Sequence, residues 1–381
     1  MIVSQFGVES WMDQYEEGAK YNITDTCAKP LSLAELFSLA GEDRADFMDR
    51  FFEREQTYGA IFGSEKVKKE ISRLYTSIRP EEILTEHGAT GGNQHIFFSL
   101  IRPGDRVIAF SPSYQQFYSA PEALGAEVTV LRLRRENGYL PDLDELSQAA
   151  ARGVRMICLN NPNNPTGTLI PSDMMKDIVT IARQSGAYLF CDEVYSGVSI
   201  DGALSPSVCD LYEKGIATGS MSKAFSLAGL RLGWLATHDR QALAQFCRVR
   251  DYDLVSCGLF DEEIAALALA HKEKILARNR AILAANLPIL DAWVKGEPHV
   301  SYVRPTAGTM ALVHYDLPIG SRDFCRRMYE ETGAFCVPGD CFDEPFSFRV
   351  GYGHEADVLR KGLDAVSEFI RRVTGGVVAS D

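Results

Sequence analysis

A lysine flanked by hydroxyl side chains is the most informative chemical feature of this chain. Lys223 follows Ser220 and Ser222 in the run S-M-S-K, and Arg231 lies eight residues further on. A lysine amine condenses with an aldehyde to give a Schiff base, while serine hydroxyls and a guanidinium can hold a phosphate dianion. These residues therefore predict a site for a cofactor that carries both an aldehyde and a phosphate, as pyridoxal phosphate (PLP) does.

Three further motifs lie on either side of this lysine. N-P-N-N-P-T-G occupies residues 161–167, D-E-V-Y occupies 192–195 and F-R-V-G occupies 348–351. Together with the lysine run, their order and spacing resemble those of the class I/II aminotransferases, which are PLP-dependent enzymes of fold type I. The resemblance extends from about Tyr58 to Arg349 and so covers nearly the whole chain.

The resemblance implies a role for the polar residues of these motifs. Lys223 would form the Schiff base with PLP and move the proton between the substrate Cα and the cofactor C4′. Asp192 would keep the pyridinium nitrogen protonated, and Tyr195 would hold the cofactor 3′-oxygen together with the Asn164 amide. These three residues, Lys223, Asp192 and Tyr195, are the expected catalytic residues. Arg349 would bind the substrate α-carboxylate as a planar fork, and Asn164 is the other expected substrate-binding residue.

A glycine-rich turn is predicted to contribute to the phosphate site. Residues 88–92 read G-A-T-G-G and precede a predicted helix over 93–100, and the free N–H groups of a helix N-terminus favour anions. The resemblance implies that Tyr114 stacks on the pyridine ring and that Tyr58 reaches in from the second subunit of a homodimer. It assigns the remaining phosphate contacts to Ala89, Thr90, Gly91, Ser220, Ser222 and Arg231.

Composition excludes several other classes of protein. The 381 residues carry a formal net charge of -13, which argues against a nucleic-acid partner. No apolar run approaches the roughly 20 residues of a membrane helix, and the N-terminus lacks the pattern of a secretory signal. The nine cysteines show no C-x-x-C pair or metal-ligand spacing, which predicts reduced thiols in a cytoplasmic protein and no metal site.

Alternating strand and helix patterns predict an α/β fold. Apolar runs at 106–110, 154–159 and 187–191 are typical of buried strands, and residues 172–185 have helical periodicity. The resemblance implies a large domain with a mainly parallel seven-stranded sheet between helices, plus a smaller α+β domain. We predict an N-terminal arm and part of the small domain over 1–50, the large domain over 51–260 and the small C-terminal domain over 261–381. Within the last, helices are expected over 261–293 and 355–372.

The chain departs from the family pattern near its N-terminus. Many family members have a glycine-bearing segment of the G-x-P-D kind at the substrate carboxylate, whereas this chain has Ile23–Leu31, I-T-D-T-C-A-K-P-L. That segment and the run R-V-R-D-Y at 248–252 resemble a subgroup that includes capreomycidine synthase, which cyclises a hydroxylated arginine on PLP. Asp25, Asp251 and Asp253 are candidate partners for a guanidinium substrate of that kind.

Three functions therefore remain open from the sequence. The first is transfer of an amino group from an L-amino acid to a 2-oxo acid by a ping-pong mechanism. The second is an eliminating or cyclising lyase that acts on an arginine-like amino acid. The third is a non-catalytic PLP-binding regulatory domain of the kind fused to DNA-binding modules. The acidic charge, the absence of such a module before residue 50, and the presence of both Lys223 and Asp192 argue against the third.

Overall fold

Strands and helices alternate through the middle of the chain, as predicted. The computed structural model describes residues 2–203 and 205–377. In chain order the strands are β1 (Tyr21–Asn22), β2 (Ile83–His87), β3 (Arg106–Ser111), β4 (Glu127–Arg132), β5 (Met156–Asn160), β6 (Tyr188–Asp192), β7 (Gly215–Ser220), β8 (Leu232–Ala236), β9 (Val300–Tyr302), β10 (Met310–Tyr315), β11 (Ala334–Phe335), β12 (Val337–Pro338) and β13 (Ser347–Gly351).

The helices cover these strands, and the first and last elements that the structure describes are helices. They are α1 (Gly7–Tyr15), α2 (Leu33–Ala40), α3 (Arg44–Phe52), α4 (Glu65–Ser72), α5 (Gly88–Leu100), α6 (Gln116–Ala123), α7 (Leu143–Ala150), α8 (Ser172–Ser185), α9 (Val208–Leu211), α10 (Arg240–Arg250), α11 (Leu259–Ala270), α12 (Lys272–Gly296), α13 (Ser321–Thr332) and α14 (Ala356–Val377).

A seven-stranded sheet forms the larger layer, in the order β2-β8-β7-β6-β5-β3-β4. The strands are parallel except β8, which runs antiparallel to both of its neighbours. Every residue of β5 and β6 is buried, because helices cover both faces of the sheet. Phe97 and Phe246, on α5 and α10, pack on one face, and Met175 and Ile178 of α8 pack on the other. The sheet therefore holds the ends of its central strands in fixed positions.

A smaller antiparallel sheet lies later in the chain, in the order β12-β13-β10-β9. The N-terminal segment joins this part, because β1 pairs in parallel with β11 and the Gly351 N–H donates to the Ile23 carbonyl over 2.8 Å. The large and small sheets match the predicted architecture. The limits 1–50, 51–260 and 261–381 stay a prediction.

Three predicted helices have different bounds, and the helix expected over 355–372 is α14, Ala356–Val377. The helix expected over 261–293 is two helices, α11 and α12, because the backbone leaves the helical region at His271, where φ is −113° and ψ is 22°. Apolar positions of both helices face the same core, so the periodic pattern continues across the break. The helix expected to begin at Asn93 begins at Gly88, so the glycine-rich run is its first turn.

Over residues 2–203 and 205–377, no helix is both long and apolar enough to cross a membrane. Within the same ranges, no group of three or more His, Cys, Asp or Glu side chains is arranged to hold a metal ion.

Candidate active site

A cavity of about 310 Å³ lies where several strands of the large sheet end. At this edge of the sheet, four strands end, β2, β5, β6 and β7, and β8 begins. The residues that directly follow those four strands, and the residues that directly precede β8, therefore lie close together. The predicted residues that line the cavity are Ala89, Thr90, Tyr114, Asn164, Asp192, Tyr195, Ser220, Ser222, Lys223, Arg231 and Arg349. Gly91 lies in the first turn of α5 outside this lining, and Tyr58 is 77% exposed and also lies outside it.

The amine of Lys223 points into the cavity. Its Nζ donates to Thr26 Oγ1 over 2.7 Å and lies 3.8 Å from Cys27 Sγ. Burial lowers the pKa of Lys223, but the neighbouring Tyr195, Cys27 and Asp25 outweigh this effect and raise it overall. Lys223 is thus held by a side chain from the N-terminal segment.

Asp192 is the last residue of β6 and is buried beneath the cavity. Asn93 Nδ2 and the Val194 N–H each donate to its carboxylate over 3.1 Å. Burial raises the pKa of Asp192 to about 6, and these two hydrogen bonds together with the charge of Lys223 oppose the rise. A carboxylate in such a place gains from a cationic N–H partner, as a protonated pyridine nitrogen would supply.

Sequence reasoning missed Asn93. This side chain also accepts from Thr218 Oγ1 over 2.8 Å, so its orientation is fixed by the neighbouring strand β7. The one available signal was an asparagine at the start of an apolar helix, where an unpartnered amide would be costly to bury. Asn93 therefore positions the Asp192 carboxylate.

The proline-rich turn after β5 is held by its own asparagines. The Asn164 N–H donates to Asn160 Oδ1 over 2.7 Å, and Asn161 Oδ1 accepts from the Ile170 N–H over 2.8 Å. Asn163 donates to the Pro112 carbonyl and to Thr166 Oγ1. Asn161 and Asn163 thus stabilise the turn, while Asn164 extends into the cavity.

Arg349 lies in the centre of β13 and is only 4% exposed. Its Nη1 donates to Asn164 Oδ1 over 3.0 Å, and its Nη2 donates to the Thr24 carbonyl over 3.3 Å. Its Nε has no hydrogen-bond partner among the residues that the structure describes. Burial lowers the pKa of Arg349. A buried guanidinium with a spare donor at a cavity is suited to bind a carboxylate.

Donors for a phosphate group cluster at the start of α5. The helix begins at Gly88 without a side-chain cap, so its first N–H groups are available for an anion. Gly88 has φ of +67°, and a Cβ there would lie 2.8 Å from Arg231 Nη2. The guanidinium therefore lies against the helix start, and the buried Ser220 and Ser222 line the same side of the cavity. This donor set fits a phosphate dianion.

Two tyrosines, Tyr114 and Tyr195, also line the cavity. The Tyr114 ring packs 5.0 Å from Phe6 and 5.8 Å from Phe117, measured between centroids. Burial raises the pKa of Tyr114 to about 12, so its hydroxyl stays neutral. Tyr195 is buried, and burial likewise raises its pKa, opposed by Lys223 and the Thr26 hydroxyl.

The remaining wall of the cavity comes from the N-terminal segment. Val8, Glu9, Met12 and Glu16 line it from α1 and the turn that follows, and Thr24, Asp25 and Thr26 continue it. Sequence reasoning missed all of these except Asp25, because only the fold brings residues so early in the chain to Lys223.

The three candidate guanidinium partners lie in different places. Asp25 lines the cavity and pairs with His354 Nε2 over 2.7 Å. Burial raises the pKa of Asp25, but the bonds from His354 and the Cys27 N–H outweigh this and lower it to about 2. Asp251 and Asp253 lie outside the cavity, and Asp253 contacts His95 Nε2 over 3.0 Å.

Comparison with known proteins shows the family of this chain. Residues 48–366 match the profile of the family described as aminotransferase class I and II. The chain belongs to this family and has the fold of the PLP-dependent fold type I enzymes.

Individual relatives include both aminotransferases and a cyclising enzyme. A crystal structure of a PLP-dependent aminotransferase from Streptococcus suis is 43% identical, with a TM-score of 0.94 over 98% of this chain and 99% of that one. Capreomycidine synthase of Streptomyces vinaceus is 26% identical over 366 residues, which is 95% of this chain and 92% of the relative. An aspartate aminotransferase of Sulfurisphaera tokodaii is 26% identical over 330 residues, which is 82% of this chain and 81% of that protein.

The protein is therefore an enzyme of a PLP-dependent family, and its cofactor is PLP. The residues present fit that group. The start of α5, Arg231 and the two serines would hold the phosphate, and Asp192 would hold the ring nitrogen. Lys223 would supply the amine that attaches to the aldehyde.

Proposed function

We propose that this enzyme is an aminotransferase, which moves the amino group of an L-amino acid to a 2-oxo acid by a ping-pong mechanism. The observation that carries the proposal is the single cavity in which the amine of Lys223, the carboxylate of Asp192 and the guanidinium of Arg349 meet. When bound, PLP supplies an electron-accepting ring and an aldehyde that becomes an amine in the first half-reaction and is regenerated in the second.

Arg349 binds and orients the substrate carboxylate. Its contacts with Asn164 Oδ1 and the Thr24 carbonyl fix the plane of the guanidinium, and Nε supplies a further donor. A carboxylate held as a planar fork fixes the direction of the Cα–H bond, and such orientation lowers the barrier to its cleavage.

Lys223 and Asp192 are assigned to the two protons of the reaction, the one on the substrate Cα and the one on the ring nitrogen. The amine of Lys223 would take the proton from the substrate Cα and deliver it to the cofactor C4′. Asp192 would keep the ring nitrogen protonated, and the Asn93 amide fixes that carboxylate in place. Tyr195 and Asn164 would hold the 3′-oxygen, and Tyr114 would help to exclude water.

The active unit in this proposal is a homodimer, with Tyr58 of each subunit reaching the phosphate site of the other. Tyr58 is 77% exposed, and Ile61, Phe62, Tyr252 and Val255 are exposed as well. Arg250, which is buried, donates to the carbonyls of Ile61 and Val255 and so ties the two segments together. An exposed apolar surface of this kind is suited to a partner subunit.

An eliminating or cyclising lyase that acts on an arginine-like amino acid is the second candidate. One observation favours it. Glu9, Glu16 and Asp25 line the side of the cavity formed by the N-terminal segment, where carboxylates suit a cationic side chain. The similarity to capreomycidine synthase over nearly the whole chain adds support. Such an enzyme would use Lys223, Asp192 and Arg349 in the same way and differ in the fate of the substrate.

One assay separates these candidates. Purified enzyme loaded with PLP is mixed with individual amino acids, including hydroxylated arginine, and both the cofactor spectrum and the products are followed. Conversion of the cofactor to its amine form with release of a 2-oxo acid supports amino-group transfer. A cyclised or otherwise altered amino acid with the cofactor unchanged would overturn transfer and favour the lyase. No reaction with any amino acid would overturn both candidates. Lys223→Ala is the control.

A further inference from the structure

We propose that the hydroxyl of Thr26 is a further catalytic group, which holds the amine of Lys223 in position for proton transfer. This inference rests on the proton-transfer role of Lys223 in the function proposed above. Thr26 Oγ1 accepts from Lys223 Nζ over 2.7 Å, a normal distance for a hydrogen bond. Thr26 therefore touches the nitrogen that must exchange protons with the substrate.

The position of this hydroxyl is set by the smaller sheet. Thr26 is 7% exposed, and its carbonyl accepts from Thr309 Oγ1 over 2.6 Å. Its neighbour Asp25 packs directly against β13. A Cβ added to Gly351 of that strand would lie 1.9 Å from the Asp25 carbonyl oxygen, so only a glycine leaves room for the two backbones to lie this close. Asp25 is also held by His354 over 2.7 Å. The hydroxyl is thus fixed by packed backbone and buried hydrogen bonds rather than by a mobile loop.

A fixed acceptor has a definite effect on a lysine amine. The amine rotates freely about the Cε–Nζ bond, so its lone pair has no preferred direction without a partner. Directing one N–H toward Thr26 limits where the lone pair points. The same contact stabilises the ammonium that forms when the amine takes the proton, because a hydrogen bond to a charged group is stronger than one between neutral groups. The hydroxyl therefore orients the amine and favours its uptake of the proton from the substrate Cα.

Other groups around Lys223 are less suited to this role. Tyr195, Cys27, Asp25 and Arg349 have the largest charge effects on the pKa of Lys223. Cys27 Sγ lies at 3.8 Å and is a weak acceptor, and Asp25 is engaged by His354 and the Cys27 N–H. Tyr195 is assigned to the cofactor 3′-oxygen, and the Thr26 hydroxyl also acts on it, lowering its pKa against the effect of burial. Thr26 is the residue whose hydroxyl oxygen accepts from the amine over 2.7 Å.

The test compares three variants with the wild type. Thr26→Val removes the hydroxyl while keeping the shape, and Thr26→Ser retains the hydroxyl. The matched control is Thr237→Val, a fully buried threonine at the opposite end of the sheet that donates to the Gly215 carbonyl over 2.8 Å. Circular dichroism and the visible absorbance of the bound cofactor report folding and loading.

Thr26→Val is expected to lower kcat about 10-fold to 100-fold, the range for loss of one hydrogen bond to a charged group, with KM within about twofold of the wild type. With substrate deuterated at Cα, the isotope effect on kcat should increase, because proton transfer becomes the slow step. Thr26→Ser is expected to restore most of the rate, and Thr237→Val to match the wild type.

A second readout does not depend on turnover. In the cofactor-free protein, the rate of Lys223 acetylation by acetic anhydride at a fixed pH near neutrality, read by peptide mass spectrometry, reports the small fraction of this amine that is unprotonated. Thr26→Val should raise this rate relative to that of the exposed lysines, since the lost acceptor favoured the ammonium form. Thr26→Ser should leave the rate near that of the wild type.

Two results would overturn the inference. One is a Thr26→Val enzyme with wild-type kcat and an unchanged rate of Lys223 acetylation. The other is an equal loss of kcat in Thr26→Val and Thr26→Ser, which would assign the effect to packing. Failure of the proposed function looks different, because the wild-type enzyme itself would then form no 2-oxo acid.

Discussion

Arg349 donates to Asn164 Oδ1 over 3.0 Å, and this contact joins the small sheet to the turn that follows β5 of the large sheet. The residue assigned to the substrate carboxylate is thereby held by a residue assigned to the cofactor. A change at either side chain should disturb the position of the other, so their effects on catalysis should not be additive.

Arg349→Lys tests the carboxylate site. A lysine keeps the charge but loses the planar fork, so we expect kcat/KM for amino acids to fall about 10-fold to 100-fold, with both a higher KM and a lower kcat. The control is an amine that lacks the α-carboxylate, which should react equally slowly with both enzymes. Unchanged steady-state kinetics with amino acids would mean that another cation holds the carboxylate.

The buried Asp192 predicts a particular dependence of stability on pH. Burial raises its pKa from 3.8 to about 6, so in this range the folded cofactor-free protein binds a proton more tightly than the unfolded chain. The contribution of Asp192 to the free energy of unfolding is therefore greatest below pH 4 and is lost as the pH rises through about 6. A shift of this size corresponds to about 3 kcal/mol.

Asp192→Asn isolates that contribution, because asparagine does not titrate. In urea unfolding of the cofactor-free protein, the difference in unfolding free energy, wild type minus variant, should fall by up to about 3 kcal/mol from pH 4 to pH 7. A difference that is flat or rises over this range contradicts a raised pKa. The variant should also lose most of its turnover, since no carboxylate remains to keep the ring nitrogen protonated.

Subunit mixing tests the shared active site. Tyr58→Ala and Lys223→Ala should each be weakly active or inactive alone, but mixed dimers should contain one intact site. If Tyr58 acts across the interface, random re-assortment of equal amounts should restore about a quarter of the wild-type sites. No recovery, despite demonstrated subunit exchange, would place Tyr58 in the same site as the Lys223 of its own chain.

Much of the site could be predicted because its residues occur in short motifs at strand ends. Asp192 is the last residue of β6 and Lys223 lies just after β7, and an apolar run that ends in a polar residue is visible in the sequence. Local periodicity likewise predicted a helix over 172–185, and α8 has the same bounds, Ser172–Ser185. These features depend on neighbours in the chain.

Residues that depend on distant contacts could not be predicted. Thr26 reaches Lys223 only because β1 pairs with β11 and the following segment lies along β13. Asn93 reaches Asp192 because α5 packs against β7 and β8, beside β6, which no spacing in the sequence indicates. The break at His271 was missed because the apolar pattern passes through it unchanged.

Attachment of the cofactor at Lys223 is the most direct test of the account. The PLP-loaded enzyme is reduced with borohydride, digested and mapped by mass spectrometry. We expect a phosphopyridoxyl group on the peptide that contains Lys223, and none in Lys223→Ala. Label on a different lysine, or no label in a protein that has been supplied with PLP, would contradict the assignment of the active site.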